Sequence, residues 1–319
     1  MDSRNSNLNT GVRQRTRQDR GRRVPVAANL LLALLVIAVD TGFLVAAAPV
    51  SSAHPGYALI ALAAFVLVTP THWGLIHEGI HGRLASGART NRAASRVMSQ
   101  LFGFAFDVVQ FGHLTHHRFN GHANDRPDRI KPGESISAAC LRHYGHLLGG
   151  HYLFTALVGV LAFTPAGLRK RLLTAALPRP DVDTRAILES CIAWFSSSQR
   201  LARTRVDILI ALAWIVVGVL GYGTFWPLLV AGLIGRAIVF SVLDNLPHYG
   251  VPGRGNQAAR DFRLHPWAST LVLGHNLHRV HHEHVELPWT ALTEGLASEP
   301  AQSGYFGAAL RQFGPPTRY

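Results

Sequence analysis

Cysteine, lysine and charge are scarce in this chain of 319 residues. Its two cysteines, Cys140 and Cys191, exclude a disulfide scaffold and cannot by themselves hold an iron–sulfur cluster. Charged residues make up 15% of the sequence, well below the roughly 25% of an ordinary soluble domain. The deficit points to a surface that faces lipid. Disorder needs the opposite balance, and 48% of the residues here are apolar, with a mean hydropathy of +0.15. Acidic residues are few enough to leave a formal net charge of +13, and Lys131 and Lys170 are the only lysines among the 31 bases. A basic excess indicates either nucleic acid or the cytoplasmic loops of a membrane protein, and the placement of the charges decides between them. Histidine, by contrast, is abundant: there are 18, as many as Asp and Glu together.

Residues 1–24 read as a disordered basic tail, with seven arginines set among Ser, Asn, Gln and Thr. A solvated arm that fixes topology is preferred to a phosphate-binding one. Pro25–Val50 is almost wholly apolar and long enough to span a bilayer. Asp40 interrupts it and reads as an interfacial carboxylate. A signal peptide ending at the small residues Ala46–Ala48 is the rival. It is disfavoured because a second apolar segment, Gly56–Ile76, pairs with the first across Pro49–Pro55, a turn without Lys or Arg. His54-Pro55-Gly56 faintly matches a haem-binding cytochrome motif, but no such domain fits between two spans.

Residues 77–146 are polar, rich in Arg and His, and include the amphipathic stretch Ala93–Val109. Leu147–Leu168 is apolar, yet Arg142 precedes it and Arg169-Lys170-Arg171 follows it. The positive-inside rule therefore puts both its ends in the cytoplasm, and it is expected to lie in the interface or to dip in and return. Val206–Tyr222 and Thr224–Leu243 form a second hairpin, turning at 221–223. The expected fold class is an all-α integral membrane protein with four transmembrane helices in two hairpins, interfacial helices and a cytoplasmic histidine-rich cap. The membrane domain is expected over 25–295 and a C-terminal tail over 296–319. Topology then explains the positive charge, and no nucleic acid partner is needed.

The histidines cluster. His77-Glu78-Gly79-Ile80-His81 has spacing i, i+4, while His113-Leu114-Thr115-His116-His117 and His278-Arg279-Val280-His281-His282 both have i, i+3, i+4. On a helix these spacings stack imidazoles one turn apart on one face. A lone buried histidine is usually a satisfied core residue, but eight in three such boxes, all on one inferred side of the membrane, are hard to explain as packing. Neutral imidazoles suit Zn, Fe, Cu or Ni. A tetrahedral zinc takes at most four protein ligands, so this number suits two metals.

HxxxH, HxxHH and HxxHH, in that order and between two hairpins, resemble the membrane fatty acid desaturase and hydroxylase superfamily, whose members include acyl desaturases, carotenoid ketolases and hydroxylases, and alkane hydroxylases. The resemblance covers roughly residues 25–295, and the third box runs on to Pro288-Trp289 as the family's does. His248, in Asp244-Asn245-Leu246-Pro247-His248-Tyr249, looks like the additional ligand that follows the last spanning helix. The resemblance implies nine metal ligands, His77, His81, His113, His116, His117, His248, His278, His281 and His282. It also implies two Fe ions, with O2 as co-substrate.

Five polar residues are candidates to support these ligands: Asn276 on a metal-bound water, Asp125 and Asp128 on the second box, Asp244 and Asn245 on the third. Turn and cap chemistry is the plainer alternative for each. His72, His122, His275 and His284 are extra to the pattern and are not expected to be ligands. His54 faces the opposite side, and His143, His146, His151 and His265 are expected to be structural.

The expected reaction removes hydrogen from an unactivated C–H bond of an apolar lipid that arrives from the bilayer. Acyl-chain desaturation is preferred, with hydroxylation or ketolation of a carotenoid or other lipid as the alternative; the outcome depends on how the substrate carbon sits against the metals. Two electrons must come from outside. No segment reads as a flavin, ferredoxin or cytochrome domain, so a separate ferredoxin-like donor and its reductase are expected partners. Arg118, Arg126, Arg129 and Arg279 would either steer an acidic carrier or anchor to lipid phosphate. The arginine bias suggests a bacterial cell membrane, with the N-terminus, C-terminus and boxes cytoplasmic. Two rivals remain. HEGIH also matches the zinc-protease motif HExxH, with Glu78 as general base, but a protease leaves both HxxHH boxes without a purpose. A metal transporter would place its site near the midplane, whereas these histidines lie at and beyond helix ends.

Reporter fusions after residues 52 and 222 are expected to report the outside of the membrane, and fusions after residues 130 and 180 the inside. An outside signal at 180 would show that 147–168 crosses.

Overall fold

The computed structural model describes residues 23–46, 55–177, 181–295 and 303–318. Most of the basic tail, the first outer turn with His54 and the start of the C-terminal tail lie outside the described residues. Helix α1 (Val26–Thr41) continues into a π turn, Gly42–Ala46. Its residues are apolar all round, so it has no face suited to water. Leu30, Leu31 and Leu34 project outward, as lipid-facing side chains do. Helices α2 (Pro55–Leu67) and α3 (Thr69–Ile80) make one run interrupted at Val68, two residues before Pro70. Amphipathic α4 (Ala88–Phe102) and α5 (Phe106–Phe119) follow. On α4, Asn91, Ser95, Met98, Ser99 and Phe102 share one buried face at helical spacing.

The segment with basic flanks differs in part from expectation. Ile136–Phe163 is long and apolar enough to cross a membrane, as are Val26–Val45, Gly56–Ile80 and Ser198–Asn245. Length and composition therefore do not set it apart, but its backbone does. It consists of α6 (Ile136–Gly145), a π turn (His146–Gly150), α7 (His151–Val158) and a 3-10 turn (Gly159–Phe163). Leu148 and Gly149 leave helical dihedrals, Gly149 with φ of 103°. That conformation favours glycine, and a Cβ there would stand 3.2 Å from the Ala237 side chain.

Amphipathic α8 (Ala166–Ala176) and α9 (Val182–Trp194) lead to α10 (Ser198–Tyr222) and α11 (Trp226–Asn245), which are joined by the short turn Gly223–Phe225. At 25 residues, α10 is about 37 Å long, ample for a bilayer. Beyond α11 come β1 (Phe262–Arg263), α12 (Pro266–Leu271), α13 (His278–Glu283), β2 (Ser303–Gly304) and α14 (Tyr305–Arg311). Strands β1 and β2 pair in parallel. Residues 303–318, expected as tail, are tied into the fold: buried Gln312 accepts from Asn245 and donates to the Val242 carbonyl. The main core gathers Leu75, Ile76, Met98, Phe102, Phe104 and Phe240 from α3, α4, the turn between α4 and α5, and α11.

Asp40 is not interfacial. It is fully buried, pairs with Arg236 of α11, and meets His72 Nδ1 of α3 at 2.9 Å. The Arg236 guanidinium also lies over the Phe65 ring, 3.7 Å from its centroid. An unpaired charge here would have neither water nor a partner, so the pair locks three helices together. Asp40→Ala is expected to destabilise the protein by about 3 kcal/mol by stranding the arginine. The double change Asp40→Leu with Arg236→Met should recover much of that loss, as read by thermal unfolding in detergent; equal effects would argue against the pair.

Candidate metal centre

The first box closes α3, with His77 in its last turn and His81 as its C-cap. Gly79 between them allows α4 to come close: a Cβ there would stand 2.1 Å from Ser95 Oγ. Asn91 of α4 then ties down the loop after the box, donating to the Gly79 carbonyl and accepting from the amides of Leu84 and Ala85. The second box occupies the C-terminal half of α5. The third forms α13, which is held from outside: Asp261 accepts from the amides of Arg279 and Val280, and Phe262 N donates to the Asn276 carbonyl. His248 sits in the turn just after α11.

These elements bring the nine histidines into two groups. Nitrogens of His77, His81, His113, His117 and His281 all lie within 4.8 Å of one another, as do those of His116, His248, His278 and His282. Each HxxHH box is divided. The first and last histidines, four residues apart, serve one group, and the middle one serves the other. Helical geometry explains the division: residues i and i+4 differ by about 40° around the axis, while i+3 and i+4 differ by about 100°. The groups adjoin, with the His117 and His282 rings 4.2 Å apart.

Within the first group, His113 Nε2 lies 3.0 Å from His81 Nε2 and 2.9 Å from His117 Nε2, and His117 Nε2 lies 3.2 Å from His281 Nε2. A neutral imidazole has one N–H and one lone pair, so each close pair is either an N–H···N hydrogen bond, its direction set by the tautomers, or, with both lone pairs turned inward, two ligands of one cation. Two nitrogens about 2.1 Å from one metal, at right angles to each other, stand about 3.0 Å apart. The buried Nε2 atoms of His77 and His282 make no hydrogen bond among the described residues. The donor set fits a transition metal.

Electrostatics favour neutral ligands. Burial pulls His81 down to about 4. It lowers His113, His117, His248, His278, His281 and His282 too, aided by the neighbouring imidazoles. His116 is the exception: burial opposes its charge, but the Asp125 carboxylate on its Nδ1 outweighs this and raises it. The His116–Asp125 contact is 2.9 Å, and His248 Nδ1 donates to the Ala258 carbonyl at 2.8 Å. Both bonds leave Nε2 as the nitrogen turned to the centre.

The other polar candidates are engaged elsewhere. Asp128 holds the buried Arg126, which donates to the carbonyls of His248 and Val251 and so braces the His248 turn from behind. Asp244 pairs with His151 and Asn245 with Gln312, neither with the third box. Asn276 donates to the Phe262 carbonyl and accepts from Ser269. Two of the arginines offered to an acidic carrier or to lipid phosphate are structural: Arg126 is 1% exposed, and Arg129 donates to the carbonyls of Gly121, Val251 and Gly253. His72 bonds the Met98 carbonyl, and His122 meets Asp181.

Sequence reading missed Asp261, which no spacing rule links to the third box. It also set aside His275, whose buried ring lies 4.9 Å from His278 with no hydrogen bond among the described residues. Glu78 is buried and accepts from the Trp289 amide. It shares a small void with His77, His275, His278 and His281.

A family model described as fatty acid desaturase matches residues 52–314 of the chain. No curated protein and no solved structure matches it.

The metal-free protein is expected to lose stability as the pH falls from about 7 towards 4. Unfolded imidazoles take up protons near 6.5, while buried ones such as His81 stay neutral to about 4. The unfolded state then binds more protons throughout that window. Thermal midpoints of metal-stripped protein measured across this range check it, and a flat profile would contradict it.

Proposed function

We propose that this chain, which belongs to the fatty acid desaturase family, is an integral membrane oxidoreductase that holds two irons in its paired histidine groups and oxidises an apolar lipid. The convergence of nine imidazoles in groups of five and four carries the proposal. His77, His81, His113, His117 and His281 would hold one iron, and His116, His248, His278 and His282 the other. When bound, the irons supply the means to activate O2, with two electrons from a separate donor, for attack on a C–H bond.

The chain's own residues set the conditions for that chemistry. Burial keeps the imidazoles neutral and their lone pairs available. Asp125 and the Ala258 carbonyl fix the tautomers of His116 and His248. Arg126 and Asp261 hold the backbone segments that present the later ligands. On the bilayer side, Trp73, Phe240 and Phe102 make an apolar wall next to the first group, which excludes water and suits a hydrocarbon. Acyl-chain desaturation is the preferred reaction, with hydroxylation or ketolation of another lipid as the alternative.

A ferredoxin-like carrier with its reductase is the expected electron source. The boxes are placed on the cytoplasmic side of a bacterial cell membrane, with 147–168 as an interfacial or re-entrant segment. A single-zinc protease built on HEGIH is disfavoured, because His113, His117 and His281 gather around that same box while a second group forms beside it.

Protein purified in mild detergent under conditions that retain iron is expected to contain about two irons per chain. His117→Ala and His281→Ala should each lose metal. About one zinc per chain, sensitive to His77→Ala but not to the other two changes, would overturn the proposal.

A further inference from the structure

A second polar cluster lies where the centre meets the apolar helices, and the metal ligands do not use it. His151, the first residue of α7, and Asp244, near the end of α11, join through Nε2 and Oδ2 at 2.9 Å. The His146 ring stacks on His151 at 4.5 Å, and His151 stacks on Phe240 at 5.1 Å. Phe240 in turn packs against Trp73 at 4.8 Å, and Trp73 stands 6.2 Å from His77 and 6.4 Å from His113. The pair is thus two aromatic rings away from the first histidine group. The Asp244 carboxylate is within electrostatic reach of both histidine groups, of His77 and His117 as well as of His116 and His248.

Three observations separate this pair from a structural strut. The His151 and Asp244 side chains keep 23% and 28% of their exposure, whereas the Asp40–Arg236 lock keeps 0% and 2%. Asp244 Oδ1 and His151 Nδ1 make no hydrogen bond among the described residues. The helical path also breaks beside the pair, at Leu148 and Gly149. Irregular backbone at membrane depth is tolerated where it lines a cavity, and interrupted helices are a recurrent setting for substrate sites.

We propose that the His151–Asp244 pair is a substrate subsite that receives a hydroxyl group carried by the lipid close to the carbon to be oxidised. The proposal deepens the oxidase reading and rests on it. Oδ1 of Asp244 is an acceptor, so it calls for an O–H donor, and the same hydroxyl can turn towards Nδ1 of His151. A carboxylate or phosphate end group would be repelled by Asp244. A bare hydrocarbon would leave the acceptors unpaired against an apolar wall, which is unfavourable. The substrate class is therefore a lipid that carries a neutral hydroxyl, on a ring or on an alkyl or acyl chain.

The test uses the full-length, iron-loaded protein in nanodiscs, with 1-octadecanol, octadecane and stearate as probes. Binding is read from the dependence of the thermal midpoint on probe concentration, and iron is assayed on the same samples. The wild type should bind octadecanol about tenfold more tightly than octadecane, the scale of one hydrogen bond to a charged acceptor, and should not favour stearate. Asp244→Ala should abolish the preference, Asp244→Asn, which keeps an acceptor oxygen, should retain most of it, and His151→Phe, which leaves the Asp244 acceptor but not the group that orients it, should weaken it without abolishing it. If Asp244→Ala fails to fold, Asp244→Leu, which keeps the volume without the acceptor, carries the test. Equal binding of alcohol and hydrocarbon to iron-replete wild type would overturn the subsite, as would a preference that survives loss of the Asp244 carboxylate in Asp244→Ala or Asp244→Leu. Wild type without iron would overturn the oxidase reading instead, and the iron assay tells the two failures apart.

Discussion

Nine imidazoles can turn their lone pairs to a common centre only where a cation would lie, and much of the surrounding structure holds the rings in place for that arrangement. Three of the Nε2–Nε2 separations fall between 2.9 and 3.2 Å, the spacing of two ligands on one metal or of one N–H···N bond. The segments that carry the boxes are accordingly fastened from outside the centre. Asn91 ties the loop after the first box, Asp125 holds the second, Arg126 grips the His248 turn, and Asp261 caps the third. None of these four faces the converging nitrogens. Each fixes the backbone or the ring from which a nitrogen is presented, which is how an outer layer of hydrogen bonds sets the geometry of a metal site.

The same economy of polar groups runs through the apolar helices. Two of the charged groupings there differ in access. Asp40, His72 and Arg236 are sealed, paired with one another and placed between α1, α3 and α11, as a structural lock must be. His151 and Asp244 are paired but open, beside a broken helix and next to the metal centre. The open pair keeps an acceptor oxygen that its partner does not use, so its position points to a role in what approaches the histidine centre.

The membrane character and the histidine boxes were legible in the sequence because both rest on local periodicity. Apolar runs of sufficient length and imidazoles at i, i+3 and i+4 do not need a tertiary fold to be recognised. Asp40 misled for the same reason. A carboxylate near the end of a span is read as interfacial until its partner is known, and Arg236 lies 196 positions away. Arg126 and Arg129, exposed steering residues on a local reading, prove to be engaged with carbonyls more than 120 positions distant. Asp244 and Asn245 stand close to His248 in sequence but bond elsewhere, since nearness along a chain says little about which way a side chain turns.

The sequence by itself determined a helical chain of membrane character and the eight histidines of the three boxes, because composition and helical spacing carry that information; the desaturase type and His248 came from the resemblance to that family. Only the tertiary structure decided how those histidines divide. His116 leaves His113 and His117, and His281 leaves His278 and His282, because a helix turns about 100° per residue and the two groups lie on adjacent sides of it. The tertiary structure also brought Asp261 to the third box and Asp244 to His151, contacts made across long stretches of chain that no local pattern encodes.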